Sequence, residues 1–138
     1  DQNVYQAVKG ITAAESTAKD GAVIIMIAGC TEGLGGDKFY HQMADASSPR
    51  ETMDKIMATA NNETEADQWQ SQILARVLLK HKVILVTDPK LSTQVENMHM
   101  KFAPTLEDAF KMAISEKGED AEITVIPDGV GVIIKPCS

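Results

Sequence analysis

Tyr5, Gln6 and Lys9 place a phenol, a carboxamide and an ammonium within a turn and a half of an expected helix. At about 100° per residue, Val4, Ala7, Val8 and Ile11 share one face, and the three polar residues fall on the other. A helix seated on its apolar face would present two hydrogen-bonding groups beside a cation. That combination suits a small hydroxy-carboxylate, whose carboxylate needs a charge and whose hydroxyl needs a neutral partner. The same spacing also describes an ordinary solvated helix face.

Several elements must position this face. Asn3 is a suitable N-cap for a first helix running to about Ala18. After Asp20-Gly21, the continuous apolar run from Ala22 to Ala28 reads as a strand covered on both sides. Thr31 to Gly36 is a loop. Further helices are expected from Asp37, from Ser47-Ser48-Pro49 and from Glu63 to Lys82, the last carrying Trp69, Ile73, Leu74, Val77 and Leu78. Val83–Thr87 is the next strand and Ser92–Met98 a short helix. Lys101–Ala103 is a brief strand. Thr105 and Asp108 resemble a capping box for the helix after Pro104. Glu122–Ile126 is the last clear strand, and Val130–Ile134 an extra strand at the edge. Strands alternating with helices imply βαβ units. The expected fold is therefore α/β, a three-layer α/β/α sandwich with a mostly parallel sheet of about four strands. Ligands in such sheets gather at the carboxyl ends of strands.

Composition narrows the function classes. With 138 residues, 43% hydrophobic and 24% charged, the chain is one ordinary globular domain with a sizeable core. Only 4% is aromatic, so that core must be aliphatic and rich in methionine. A net charge of −7 argues against nucleic acid or an anionic membrane as partner. No apolar run reaches membrane-spanning length. Cys30 and Cys137 form neither a disulfide framework nor a CxxC pair, which suits a cytoplasmic protein. The absence of an initiator methionine suggests a domain excised from a longer polypeptide.

The remaining candidates each have a structural reading beside the chemical one. The glycine loop from Gly29 to Gly36 lies between a strand and a helix, the right context for phosphate contact. It lacks both G-x-G-x-x-G and GK[ST], so it equally suits a flexible turn. Cys30 is a reactive thiol or a small buried hydrophobe. Trp69 shares helical register with Ile73 and Val77, which suits the core. His41, His81 and His99 have no metal-ligand spacing. Asp88 and Asp128 follow strands, where an acid–base pair and simple turn formation are both served.

The segment Asp1-x-Asn3-x-Tyr5-Gln6-Ala7-x-Lys9 resembles the start of the C-terminal domain of the nickel-dependent lactate racemase family, a group of 2-hydroxyacid racemases and epimerases. Ala28 to Gly36, the helix around Trp69 and Pro127-Asp128-Gly129 extend the likeness over the whole chain. The resemblance implies that residues 1–138 cover a site whose catalytic half is an N-terminal domain. That domain would hold a nickel pincer nucleotide, a pyridinium mononucleotide tethered to a lysine. Its histidines would ligate nickel and move protons, so the three histidines here carry no catalytic or metal role. Tyr5, Gln6 and Lys9 match the family's substrate-binding residues, with Lys9 facing the substrate carboxylate. Trp69, Gly33 and Gly35 would lie toward the cofactor. The partners implied are a small 2-hydroxy acid and the N-terminal domain, and the isolated domain should be inactive. The competing expectation is a non-catalytic α/β binding or regulatory module that takes a small anion at the glycine loop.

Overall fold

The computed structural model describes residues 3–16, 18–29, 33–58, 68–118, 122–126 and 131–135. The chain begins with α1 (Val4–Glu15) and β1 (Val23–Ile27), followed by α2 (Asp37–Ala44), α3 (Pro49–Ala58) and α4 (Gln68–Lys80). Then come β2 (Lys82–Val86), a short 3-10 turn (Pro89–Leu91), α5 (Ser92–Asn97) and β3 (Lys101–Ala103). The helix α6 (Leu106–Lys117) leads to β4 (Glu122–Ile126) and β5 (Gly131–Lys135).

These strands form a sheet in the order β3-β2-β1-β5-β4. β1, β2 and β3 are mutually parallel. β5 runs antiparallel to both β1 and β4. The α/β sandwich therefore stands, with five strands rather than about four. The strand expected at the edge is instead interior, between β1 and β4. Its direction follows from the sequence. The four residues joining β4 to β5 permit only an antiparallel return, since a parallel one needs a crossover of about a dozen.

Side-chain alternation divides the core into two clusters. Ile24 and Met26 of β1, with Val83 and Leu85 of β2, face α1, α2, α4 and α5. Val23, Ile25, Ile84 and Val86 face Ala109 and Ala113 of α6. One side of the sheet thus carries a thick layer, in which Phe39, Met43, Met98 and Met100 fill the space under the helices. Methionine is the adaptable filler expected of a core so poor in aromatics. On α1 the predicted apolar face is fully engaged: Val4, Ala7, Val8, Ile11 and Ala14 are all buried. Thr105 caps α6 as expected, its hydroxyl accepting from Asp108 N at 3.1 Å.

Candidate functional site

The first turn of α1 is held from two directions. A helix start leaves backbone N–H groups without intrahelical acceptors. Here Val4 N donates to the Gly33 carbonyl at 3.0 Å, and Tyr5 N donates to the Leu34 carbonyl at 3.1 Å. The glycine loop after β1 therefore turns acceptors toward α1. Gly35 makes this approach possible. Its φ is +90°, and a Cβ there would lie 2.6 Å from both Asn3 Oδ1 and Tyr5 Cβ. From the other side, Gln70 of α4 donates from Nε2 to the Tyr5 carbonyl at 2.7 Å.

Side chains around this turn differ in how far they are committed. Tyr5 is half-buried, and its ring meets Phe39 edge-on at 5.4 Å with an interplanar angle of 81°. Phe39 is fully buried, so Tyr5 has a rigid floor. Lys9 lies one turn further along α1 and is exposed. Residues four apart on a helix are neighbours, so its ammonium shares the Tyr5 side of α1. Among the described residues no carboxylate forms an ion pair with it. The backbone of Gln6 belongs to α1, while its side chain lies outside the described residues.

Trp69 corrects the core reading. It is 63% exposed, whereas Val77 of the same helix is fully buried. Eight residues at 100° each leave Trp69 about 80° away from Val77 around α4, enough to take it off the buried stripe. Its neighbours Gln68, Gln70 and Ser71 turn inward instead. The indole is thus a large apolar surface next to the residue that grips Tyr5.

The histidines are dispersed. His41 is exposed and pairs with Asp45 at 3.4 Å. His99 lies with φ +72° after α5 and bonds through Nε2 to the Met43 carbonyl at 2.9 Å, tying α5 to the end of α2. His81 is buried between α4 and β2. Burial pushes its pKa below the ordinary value, against the opposing pull of Glu15 and Asp20. Among the described residues no group of three or more His, Cys, Asp or Glu could hold a metal ion. Asp88 caps the 3-10 turn by accepting from Lys90 N at 2.9 Å, so its turn-forming role is realised. Cys30, Cys137 and Asp128 lie outside the described residues. No helix among the described residues is long and apolar enough to cross a membrane.

A cavity of about 530 Å³ opens between α2, α3 and α4, lined by residues including Asp37, His41, Thr52, Lys55 and Gln68. None of Tyr5, Lys9 or Trp69 lines it. The structure thus brings together Tyr5, Gly33, Gly35 and the α4 turn bearing Trp69, with Lys9 beside them. Sequence reasoning missed Gln70 and Phe39. Neither carries a motif, and Gln70 has the appearance of a surface residue.

Residues 1–134 match the family model described as the lactate racemase C-terminal domain. The chain is 50% identical over 135 residues to the lactate racemase of Lactiplantibacillus plantarum, covering 98% of this chain and 32% of that protein. It is 49% identical over 135 residues to the lactate racemase of Thermoanaerobacterium thermosaccharolyticum, with the same coverage. The structure of the lactate racemase apoprotein from T. thermosaccharolyticum superposes with a TM-score of 0.91 at 49% identity, over 94% of this chain and 31% of that one. The chain therefore spans about a third of the length of the curated relatives it matches.

Proposed function

The chain belongs to the lactate racemase C-terminal domain family, and from that premise we propose that it forms the substrate- and cofactor-covering part of a 2-hydroxyacid racemase or epimerase. On this reading the substrate is lactate or a close relative, and the rest of the polypeptide supplies the other wall of a cleft in a cytoplasmic enzyme. The observation that carries the proposal is the state of the α1 face. An exposed ammonium and a half-buried phenol sit on a helix whose opposite face and first turn are tied down, and the α4 residue that bonds the Tyr5 carbonyl is next in sequence to an exposed indole.

Each side chain then has a physical task. The Lys9 ammonium neutralises the substrate carboxylate and holds it in one orientation. Gln6 offers a neutral donor and acceptor to the carboxylate or the hydroxyl. Tyr5, backed by Phe39, forms one wall and can donate its hydroxyl. Trp69 excludes water and covers a flat ring, and the loop at Gly33 and Gly35 borders the same space. A nickel pincer nucleotide fits this division. On this reading the chain offers a covering ring and a carboxylate anchor, and coordination of the metal belongs to the other domain, as the family resemblance implies. Bound there, such a cofactor would supply hydride-acceptor chemistry at C2, with the hydroxyl proton passing to a base of the other domain and returning with the hydride. This chain's residues serve that chemistry by holding the carboxylate still while C2 changes geometry.

The alternative, a module binding a small anion at the glycine loop, is poorly served by the loop's geometry. The loop runs into α2, whose first turn carries the carboxylate of Asp37, which opposes an anion there, and its Gly33 and Leu34 carbonyls are turned toward α1. The deciding experiment is racemisation of L-lactate by the full-length, cofactor-loaded enzyme, followed by chiral chromatography. Lys9→Ala is expected to lower kcat/KM about a hundredfold or more, with Lys9→Arg retaining part of it. Undiminished racemisation by Lys9→Ala would sink the proposal.

A further inference from the structure

We infer that Gly35 and Gln70 are positioning residues that lock the Tyr5–Lys9 face of α1 onto the helix turn bearing Trp69. The inference rests on the substrate-facing role proposed for Tyr5 and Lys9, and it adds what sets their geometry.

Two elements far apart in sequence converge on one residue. From the loop after β1, the Leu34 carbonyl takes Tyr5 N, and the absent side chain of Gly35 lets the loop pass against Tyr5 Cβ. From α4, Gln70 Nε2 takes the Tyr5 carbonyl at 2.7 Å. Gln70 is buried to all but 8% of its surface, and a buried carboxamide is retained only where its hydrogen bonds are made. It adjoins Trp69 in sequence, so one turn of α4 carries both the exposed ring and the strut to Tyr5. Sliding α1 by even an ångström relative to Trp69 would break the strut. A displacement of that size at a reacting centre can cost about a hundredfold in rate.

Two changes separate the contacts. Gln70→Met keeps the volume and removes the donor. Gly35→Ala drives a methyl into Asn3 and Tyr5, at a φ that L-residues rarely adopt. The control is Ala113→Gly, which loosens α6 on the opposite side of the sheet. Each is made in the full-length, cofactor-loaded enzyme. The readouts are hydrogen exchange of peptides covering α1 and α6, the melting temperature, and kcat and KM for lactate.

In Gln70→Met, α1 is expected to exchange about tenfold faster while α6 is unchanged. Its kcat/KM should fall about tenfold, mostly in kcat. Gly35→Ala should do the same or more. Ala113→Gly should lower the melting temperature and leave kcat/KM near wild type. The inference is overturned if Gln70→Met leaves α1 exchange unchanged, or if α1 loosens and kcat/KM does not fall. It is equally overturned if Ala113→Gly lowers kcat/KM as much, since any loosening would then suffice. Lys9→Ala, run alongside, tests the underlying reading separately. Full activity in that variant removes the substrate-facing role itself, whatever exchange shows for Gln70→Met.

Discussion

At the amino ends of β2 and β3, Glu116 of α6 accepts from Lys82 at 2.6 Å and from Lys101 at 3.1 Å. Nearby, Glu15 at the end of α1 pairs with Arg76 of α4 at 2.7 Å. At the other end of α1 the arrangement is reversed. There the backbone is gripped by Gly33, Leu34 and Gln70, while Lys9 and Trp69 project outward. One end uses side chains to neutralise one another. The other holds the main chain and leaves its charge and its largest ring available. A binding site needs the second arrangement, because groups committed to each other cannot take a ligand and groups on a loose backbone cannot orient one.

The comparison can be broken most forcefully at Phe39, which floors Tyr5 and sits in the core. Phe39→Ala should cost about 3–5 kcal/mol in denaturant unfolding, with α1 exchanging first. If the domain keeps its stability, the rigid floor is not there. Trp69→Ala sharpens the contrast from the ligand side. The indole is largely exposed, so the melting temperature should stay within about 2 °C. Lactate turnover in the full-length enzyme should nonetheless fall roughly tenfold. A large stability loss with normal turnover would return Trp69 to the core.

At the paired end, effects should be smaller and governed by pH. His81 has its pKa lowered from 6.5, mainly by burial. The unfolded chain therefore takes up this proton more readily than the folded one. Stability from His81 is complete above about pH 6.5 and declines as pH falls below it. Thermal melts between pH 7.5 and 5 should show this decline, and a His81→Gln variant should flatten it. Smallest of all is Glu116, whose pKa the lysine hydrogen bonds lower from 4.5 to about 2. Its contribution is present above pH 4.5 and is lost as pH falls toward 2. Being exposed, it should matter little: Glu116→Gln is expected to shift the neutral-pH melting temperature by no more than roughly two degrees. A larger drop would mean that this end is not merely a solvated ion-pair cluster.

Much of the fold was legible because local rules decide it. The α1 stripe, the unbroken β1 run and the Thr105 cap all appear in the structure as the periodicity and capping chemistry predict. The edge assignment of Val130–Ile134 went astray because hydropathy reports how many faces of a strand are covered, not which strands lie beside it. The core reading of Trp69 went astray because a three-to-four residue repeat tolerates drift, and 80° of drift separates a buried position from an exposed one. Of the site, Tyr5 and Lys9 were readable as a shared helix face, and the family resemblance gave that face a task. Gln70 was not readable, since nothing distinguishes a glutamine that grips another helix from one in water.

The amino-acid sequence by itself determined that α1 is amphipathic, that its polar face carries Tyr5, Gln6 and Lys9, and that glycines stand where the chain leaves β1. These are consequences of residue type and helical period, and they hold wherever α1 docks. Only the tertiary structure decided that Gly35 passes against Tyr5 and that Gln70, 65 residues away in sequence, bonds its carbonyl. The physical reason is that both contacts depend on where separate elements come to rest on the sheet. That placement is set by the packing of the whole core, not by any local pattern.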